Sequence, residues 1–323
     1  MTLSNSPNPW PLASALPIIQ APMGPVSQPS LIAAVIGAGG LGMLAASELN
    51  PDRLPRTIEQ VRRLSSGPAE ALGCNFILDF DVAAGVEVAQ DQGVRIISTF
   101  YGDPARIRPH IRHDVIHLHT VGDVADALAA RDAGVDVLVA QGIEAGGHIR
   151  GTTPLNELVP AVREATGLPV VAAGGIATAD DVRHAFELGA CGVWVGTRFA
   201  ASEESRAHQD YKDAIVAAKV GDTVYTTDCF DAGWVGAPHR TLSNSTTAMY
   251  ESLGATSERN RDIIAHTASG VPIRRFDYTP PLIGMTGDLL ALATYAGVSA
   301  ERVRQVEPAA AIVADLATGV PTA

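Results

Sequence analysis

Hydrophobic residues along this chain gather in short unbroken runs, and the same phrase precedes several of them: an amphipathic stretch, a glycine, then β-branched residues. It occurs as IGAGGLGML at 36–44, DQGVRIIS at 91–98, DAGVDVLVA at 132–140 and LGACGVWVG at 188–196. Glycine closes a helix in the left-handed conformation, and the run after it reads as a strand. The related TGLPVVAAGG at 166–175 adds proline just past the cap. Runs such as VVAA and VLVA lack polar alternate positions, which predicts parallel strands covered on both faces.

Eight such strands are expected: 18–23, 41–45, 72–78, 95–100, 115–119, 137–141, 169–173 and 192–196. Helical patterns separate them, for instance over 123–132, 155–166 and 179–187. Eight units closing on themselves make a (β/α)8 TIM barrel, α/β in class and complete near Phe199. The competing open doubly wound sheet would carry GxGxxG in its first turn or GxxxxGK[ST] after a strand, and neither occurs. Beyond residue 200 the phrase disappears. Helices are expected over 207–219, 245–253, 260–268, 288–295 and 308–316, a C-terminal helical appendage packed on the barrel. Residues 223–240, rich in Gly, Asp, Pro and aromatics, read as a lid-like loop across the barrel mouth. The expected organisation is a tail over 1–16, a barrel over 17–200 and an appendage over 201–323.

With 323 residues, 46% hydrophobic and 18% charged, there is ample apolar surface for one large core. The 23 Lys and Arg against 35 Asp and Glu give a net charge of −12, the wrong sign for binding a phosphate backbone, so nucleic acid is not an expected partner. The longest apolar stretch, 31–46, is broken by four glycines and is too short to span a membrane. The first 17 residues lack the basic-then-apolar pattern of an export signal, so a cytoplasmic location is expected. Cys74, Cys191 and Cys229 are odd in number and far apart, and read as reduced core thiols. Nothing in the pattern separates a monomer from a homodimer.

In a barrel of this kind the chemistry lies just after each strand. Those positions hold Pro22, Met23 and Gly24 after strand one, Asn75 in strand three, Gln141 through Gly146, Gly147 and His148 after strand six, Gly174 and Gly175 after strand seven, and Gly196 and Thr197 after strand eight. Glycines after strands seven and eight suit a phosphate group, because bare backbone amides can approach an anion there. His148 follows two glycines and is suited to proton transfer near neutral pH. Asn75 and Gln141 sit in apolar surroundings, where an unpartnered amide costs about 1–3 kcal/mol, and so suit the edge of a planar polar cofactor. His117 and His119 share a face of strand five with no carboxylate or cysteine spacing to complete a metal site, and read as pocket lining or core.

The stretches QAPMGP at 20–25, GCNF at 73–76, QGIEAGGHIRG at 141–151, AAGGIATADDV at 172–182 and VGTRF at 195–199 resemble those of the nitronate monooxygenases, formerly 2-nitropropane dioxygenases. The FMN-dependent enoyl-acyl-carrier-protein reductases share much of this pattern. The resemblance implies a barrel holding FMN, with its phosphate at Gly174, Gly175, Val195, Gly196 and Thr197. The ring would lie against Pro22, Met23, Gly24, Asn75, Gln141, Gly146 and Gly147, and His148 would be the catalytic histidine. It implies oxidation of alkyl nitronates with O2 to a carbonyl compound and nitrite. FDAGWVGAPHRTLSNS at 230–245 and TGDLLALATYAGVS at 286–299 look like the monooxygenase branch. Val298 departs from the YAGQS seen in many members and removes a carboxamide. The alternatives are an NAD(P)H-dependent FMN reductase acting on an enoyl thioester or quinone, and a flavin-binding barrel without redox chemistry.

Overall fold

The computed structural model describes residues 10–47, 49–232, 234–253 and 262–322. Six parallel strands come first: β1 (Ile18–Gln20), β2 (Leu41–Ala45), β3 (Leu72–Ile77), β4 (Ile96–Phe100), β5 (Ile116–Val121) and β6 (Val137–Gln141). A two-residue strand outside the barrel, β7 (Gly147–His148), follows; then β8 (Val170–Ala173) and β9 (Gly192–Val195) complete the circle, with β9 pairing back onto β1. After the first seven barrel strands come α1 (Pro29–Gly37), α2 (Leu54–Leu64), α3 (Ala83–Asp91), α4 (Pro104–Ile107), α5 (Val124–Asp132), α6 (Leu155–Thr166) and α7 (Ala179–Glu187). This is the (β/α)8 barrel that the repeated phrase predicts.

Local chemistry explains where the elements begin and end. Asp123 accepts the Asp126 amide at 2.8 Å to cap α5, and Thr178 with Asp181 forms a reciprocal capping box on α7. Gly167 ends α6 at φ 68°, a left-handed value for which glycine carries no steric cost. Ile19, Leu41, Met43, Ile96, Leu118, Val137, Val139 and Val171 fill the barrel interior. The alternate strand residues, such as Leu44, Cys74, Ile97, Leu138 and Val193, pack outward on the helices. The strands are thus apolar on both faces, and polar groups collect at their C-terminal ends.

The C-terminal part differs from a purely helical appendage. It contains α8 (Thr197–Ala200), α9 (Gln209–Ala217), α10 (Ser245–Leu253) and α11 (Ala309–Ala317). It also contains β10 (Thr223–Thr226), β11 (His239–Leu242), β12 (Ile263–His266), β13 (Pro272–Arg274) and β14 (Thr286–Gly287). These form two small sheets, β10-β11-β7 and β13-β12-β14. The helix expected over 260–268 is β12 in its described part, residues 254–261 lying outside the described residues along with 1–9 of the expected tail. The helix expected over 288–295 is one short turn, Leu289–Ala291, followed by extended chain. The 223–240 loop begins and ends in strands.

The eighth helix of the barrel is α11. Its Ile312, Val313 and Leu316 share a core with Leu31 and Val35 of α1 and Val182 and Ala185 of α7. Residues 201–308 are therefore an insertion within the last β/α unit, and a boundary at 200 would cut that unit in two. All three cysteines are buried thiols outside any disulfide. No helix among the described residues is long and apolar enough to cross a membrane.

Candidate active site

At the C-terminal ends of the strands lies a cavity of about 310 Å³. Pro22, Met23, Gly24, Asn75, Gln141, Gly146, Gly147, His148, Gly174, Gly175, Gly196 and Thr197 all line it, so the barrel brings together positions scattered over 175 residues. Val195 does not: its side chain packs in the helix-facing core, and its carbonyl accepts the Ala21 amide at 2.8 Å. None of the described lining residues is Asp, Glu, Lys or Arg.

The glycines differ in the reason each is needed. Gly174 and Gly175 have φ values of 106° and 70°, and a side chain on Gly174 would meet the Ala145 amide at 2.9 Å. Gly146 is held by crowding, since a Cβ there would lie 2.3 Å from the Gly297 nitrogen. Gly196 has φ −109°, and a Cβ would come no closer than 3.6 Å to its neighbours, so neither conformation nor packing within the protein requires glycine. The position leaves bare backbone open to the cavity. Thr197 follows it, buried, its Oγ1 accepting the Gly297 amide at 3.0 Å. The first-turn amides of α8 have no intrahelical acceptor.

His148 lies on β7, which pairs with β11 so that His148 opposes His239 and Gly147 opposes Arg240. Several bonds hold the 141–150 loop. The Gln141 carboxamide donates to the His148 carbonyl at 3.1 Å and accepts the Arg150 amide at 2.9 Å. The Glu144 carboxylate accepts the Leu155 amide, and Arg240 donates to the Ile143 carbonyl at 2.9 Å. Tyr101 donates to the Ile149 carbonyl at 3.1 Å. Gln141 therefore acts on the loop as well as lining the cavity, a role different from the cofactor contact expected of it. The Asn75 carboxamide donates to Ser98 at 3.1 Å.

The His148 ring is packed among aromatic groups: Trp234 at 4.1 Å, Tyr295 at 5.4 Å and His239 at 5.8 Å between ring centroids. Its Nε2 is buried with no hydrogen-bond partner. Burial, with a smaller contribution from His239, pushes its pKa down to about 3, so the imidazole is neutral at physiological pH. A neutral ring in the cavity lining whose Nε2 lacks a hydrogen-bond partner among the described residues is suited to exchange a hydrogen bond or proton with a bound molecule. Trp234 and Tyr295 were missed as individual residues; their segments were marked only by an aromatic-rich irregular loop and the YAG phrase. Val298 is not among the lining residues: its amide donates to the Glu144 carbonyl at 3.0 Å, while neighbouring Ser299 lines the cavity. His117 and His119 do not line the cavity; both are buried in the barrel and bonded to Thr99 Oγ1 at 2.8 Å.

The sequence matches the nitronate monooxygenase family model over residues 10–84 and 71–319. It is 32% identical over 274 residues to a probable nitronate monooxygenase of Staphylococcus saprophyticus, covering 71% of this chain and 76% of that one. It is 31% identical over 241 residues to the (3aS,4S,5R,7aS)-5-hydroxy-7a-methyl-1-oxo-octahydro-1H-indene-4-carboxyl-CoA dehydrogenase of Mycobacterium tuberculosis, covering 73% of this chain and 65% of that one. Among solved structures, the nitroalkane oxidase of Streptomyces ansochromogenes superposes with a TM-score of 0.75 at 27% identity, covering 94% of this chain and 95% of that one. The family match spans nearly all of the described fold, from the tail before β1 to α11, and the chain belongs to the nitronate monooxygenase family of oxidoreductases.

Proposed function

We propose that the protein is an FMN-dependent nitronate monooxygenase, taking an alkyl nitronate and O2 to a carbonyl compound and nitrite. The observation that carries this reading is His148: a neutral imidazole whose Nε2 has no partner among the described residues, in the lining of a glycine-rich cavity whose described lining carries no Asp, Glu, Lys or Arg. A flavin follows from the family, and the Gly196 gap fits a cofactor lying on bare backbone. Gly174, Gly175, Gly196 and Thr197 would hold the FMN phosphate through backbone amides, and Pro22, Met23, Gly24, Asn75 and Gly147 would flank the ring. When bound, FMN supplies the acceptance of an electron from the nitronate and its passage to O2.

The protein's own part is to place and orient the substrate. His148 Nε2 hydrogen-bonds the nitro group, or takes the α-proton where a neutral nitroalkane enters. Trp234 and Tyr295 shield the ring from water, which keeps it neutral and strengthens that hydrogen bond. The Gln141 bonds fix the backbone on both sides of it.

A second reading, a nicotinamide-dependent reductase or a thioester dehydrogenase, draws on the Mycobacterium tuberculosis relative. Such ligands carry several phosphates, and no Lys or Arg among the described residues lines the cavity to meet them, which favours the monooxygenase. The test is oxygen uptake and nitrite release with an alkyl nitronate for the wild type and His148→Ala. The variant is expected to keep its flavin and lose about 100-fold in kcat/KM, the size of a lost acid-base or hydrogen-bonding group. Unchanged activity would overturn the assignment.

A further inference from the structure

The segment 297–302, near the far end of the insertion, is tied to three of the loops that follow barrel strands. The Gly297 amide donates to Thr197 Oγ1 at 3.0 Å, after β9, and the Val298 amide to the Glu144 carbonyl at 3.0 Å, after β6. The third tie is a side chain. Arg302 donates from one terminal guanidinium nitrogen to the Gly175 carbonyl at 2.5 Å, after β8. Its Nε pairs with Asp181 at 3.2 Å and its other terminal nitrogen with Glu301 at 3.0 Å. Each nitrogen of the planar fork thus has its own acceptor, which fixes the plane of the guanidinium.

Arg302 does not line the cavity, whereas Gly175 and Ile176 do. The peptide between them is trans, so its carbonyl and its amide hydrogen point in opposite directions. With the Gly175 carbonyl turned back onto Arg302, the Ile176 amide is turned away from it, on the cavity side, and no acceptor among the described residues meets it. The next two amides behave differently: Ala177 and Thr178 both donate to Asp181 Oδ2 at 2.9 Å. Arg302 Nε donates to that same oxygen. A further cation, Arg198, donates to the Ala177 carbonyl at 2.6 Å and is paired with Glu307 and Asp315.

A phosphate set against this loop meets two difficulties. The described lining of the cavity supplies no Lys or Arg, and a carboxylate stands directly behind the loop. The Arg302 side chain offsets both, because it locks the Gly175–Ile176 peptide through a charge-assisted bond and neutralises Asp181. We infer that Arg302 is the positioning residue of the flavin-phosphate subsite, presenting the Ile176 amide so that the loop after β8 receives a phosphate dianion. The inference rests on the flavin in the reading above.

The test compares FMN with riboflavin, which lacks the phosphate. Kd values are measured by flavin fluorescence on the full chain stripped of cofactor, for the wild type, Arg302→Met and Arg302→Lys. Arg302→Met is expected to weaken FMN binding about 10- to 100-fold, the size of a lost hydrogen bond to a charged group, and to change riboflavin binding less than about 3-fold. Arg302→Lys keeps the charge on a single-point donor and should fall between the two for FMN; it also serves if the methionine variant does not fold. Phosphorus NMR of the bound FMN gives a second readout. In both variants the second ionisation of the phosphate, ordinarily near 6, should move to higher pH than in the wild type, by at least about half a unit for Arg302→Met, where a cation is lost and a carboxylate uncovered. FMN affinity and phosphate ionisation unchanged in the variants, or FMN and riboflavin weakened equally, would overturn the inference while leaving the flavin in place. A wild type that binds neither flavin would take the flavin reading down with it.

Discussion

Replacing Gln141 with methionine separates two roles that this side chain has been given. In the structure its Nε2 donates to the His148 carbonyl and its Oε1 accepts the Arg150 amide, so the carboxamide clamps the strand carrying the His148 imidazole. Methionine keeps the length and removes both bonds. Each is worth about 1 kcal/mol net, and a half-buried carbonyl and amide are left without partners, so the local cost is about 2–4 kcal/mol. If about half of that is lost from the transition state, kcat/KM falls about 5- to 30-fold. Flavin content should be unchanged. The pH profile gives a readout that simple destabilisation does not. In the wild type burial holds His148 near 3, so kcat/KM shows no break from that group between pH 5 and 8. A loosened loop admits water, raises the pKa toward its ordinary 6.5, and introduces a decline in activity on the acid side. Flavin content and kcat/KM are measured after purification and again after reconstitution with excess FMN. Loss of flavin with normal activity once it is restored would refute the reasoning and return Gln141 to the cofactor.

Gly196→Val is expected to fold normally, because the protein leaves 3.6 Å around a Cβ there, and yet to retain no flavin; the flavin-to-protein ratio and apo Tm check both halves. Acid should destabilise the fold through His117, His119 and His148, buried neutral rings held down to about 3, about 4 and about 3, chiefly by burial. The unfolded chain binds protons near pH 6.5 that the folded chain refuses, so stability is full above that value and is lost as pH falls toward 4. At pH 5 each ring costs about 2 kcal/mol, a sum that denaturant titration at pH 7.5 and 5 would detect and that His119→Gln should cut by about a third.

The barrel was legible because its signals are local. Gly caps and β-branched runs mark the ends of α5, α7 and the strands that follow, and the bounds of α6, α7 and α10 agree with the periodicity. The insertion was less legible because its hydrogen bonds are distant. LLALATYA at 289–296 has the composition of a helix, yet the Ala291 and Leu292 carbonyls accept from Thr246 and Asn244, the Thr294 carbonyl from the Leu242 amide, and the Tyr295 carbonyl from Tyr211. Those tertiary bonds replace the ladder that intrinsic propensity favours. The same distance hid the aromatic shell of His148. Trp234 and Tyr295 reach it from 86 and 147 residues away, through segments without period. The site glycines were found from their place after strands, but position could not say that crowding requires Gly146 while packing leaves Gly196 free. The last unit could not be seen to close through α11, because sequence order hides an insertion of this length.

The most direct measurement is made on the purified, flavin-loaded protein: oxygen uptake and nitrite release with 3-methylbutyl-1-nitronate, beside the rate at which NADH or NADPH bleaches the flavin without oxygen. The account predicts nitronate-dependent oxygen consumption with nitrite as product, and flavin that neither nicotinamide bleaches at a comparable rate. Rapid bleaching by a nicotinamide with no nitrite from any nitronate would contradict it.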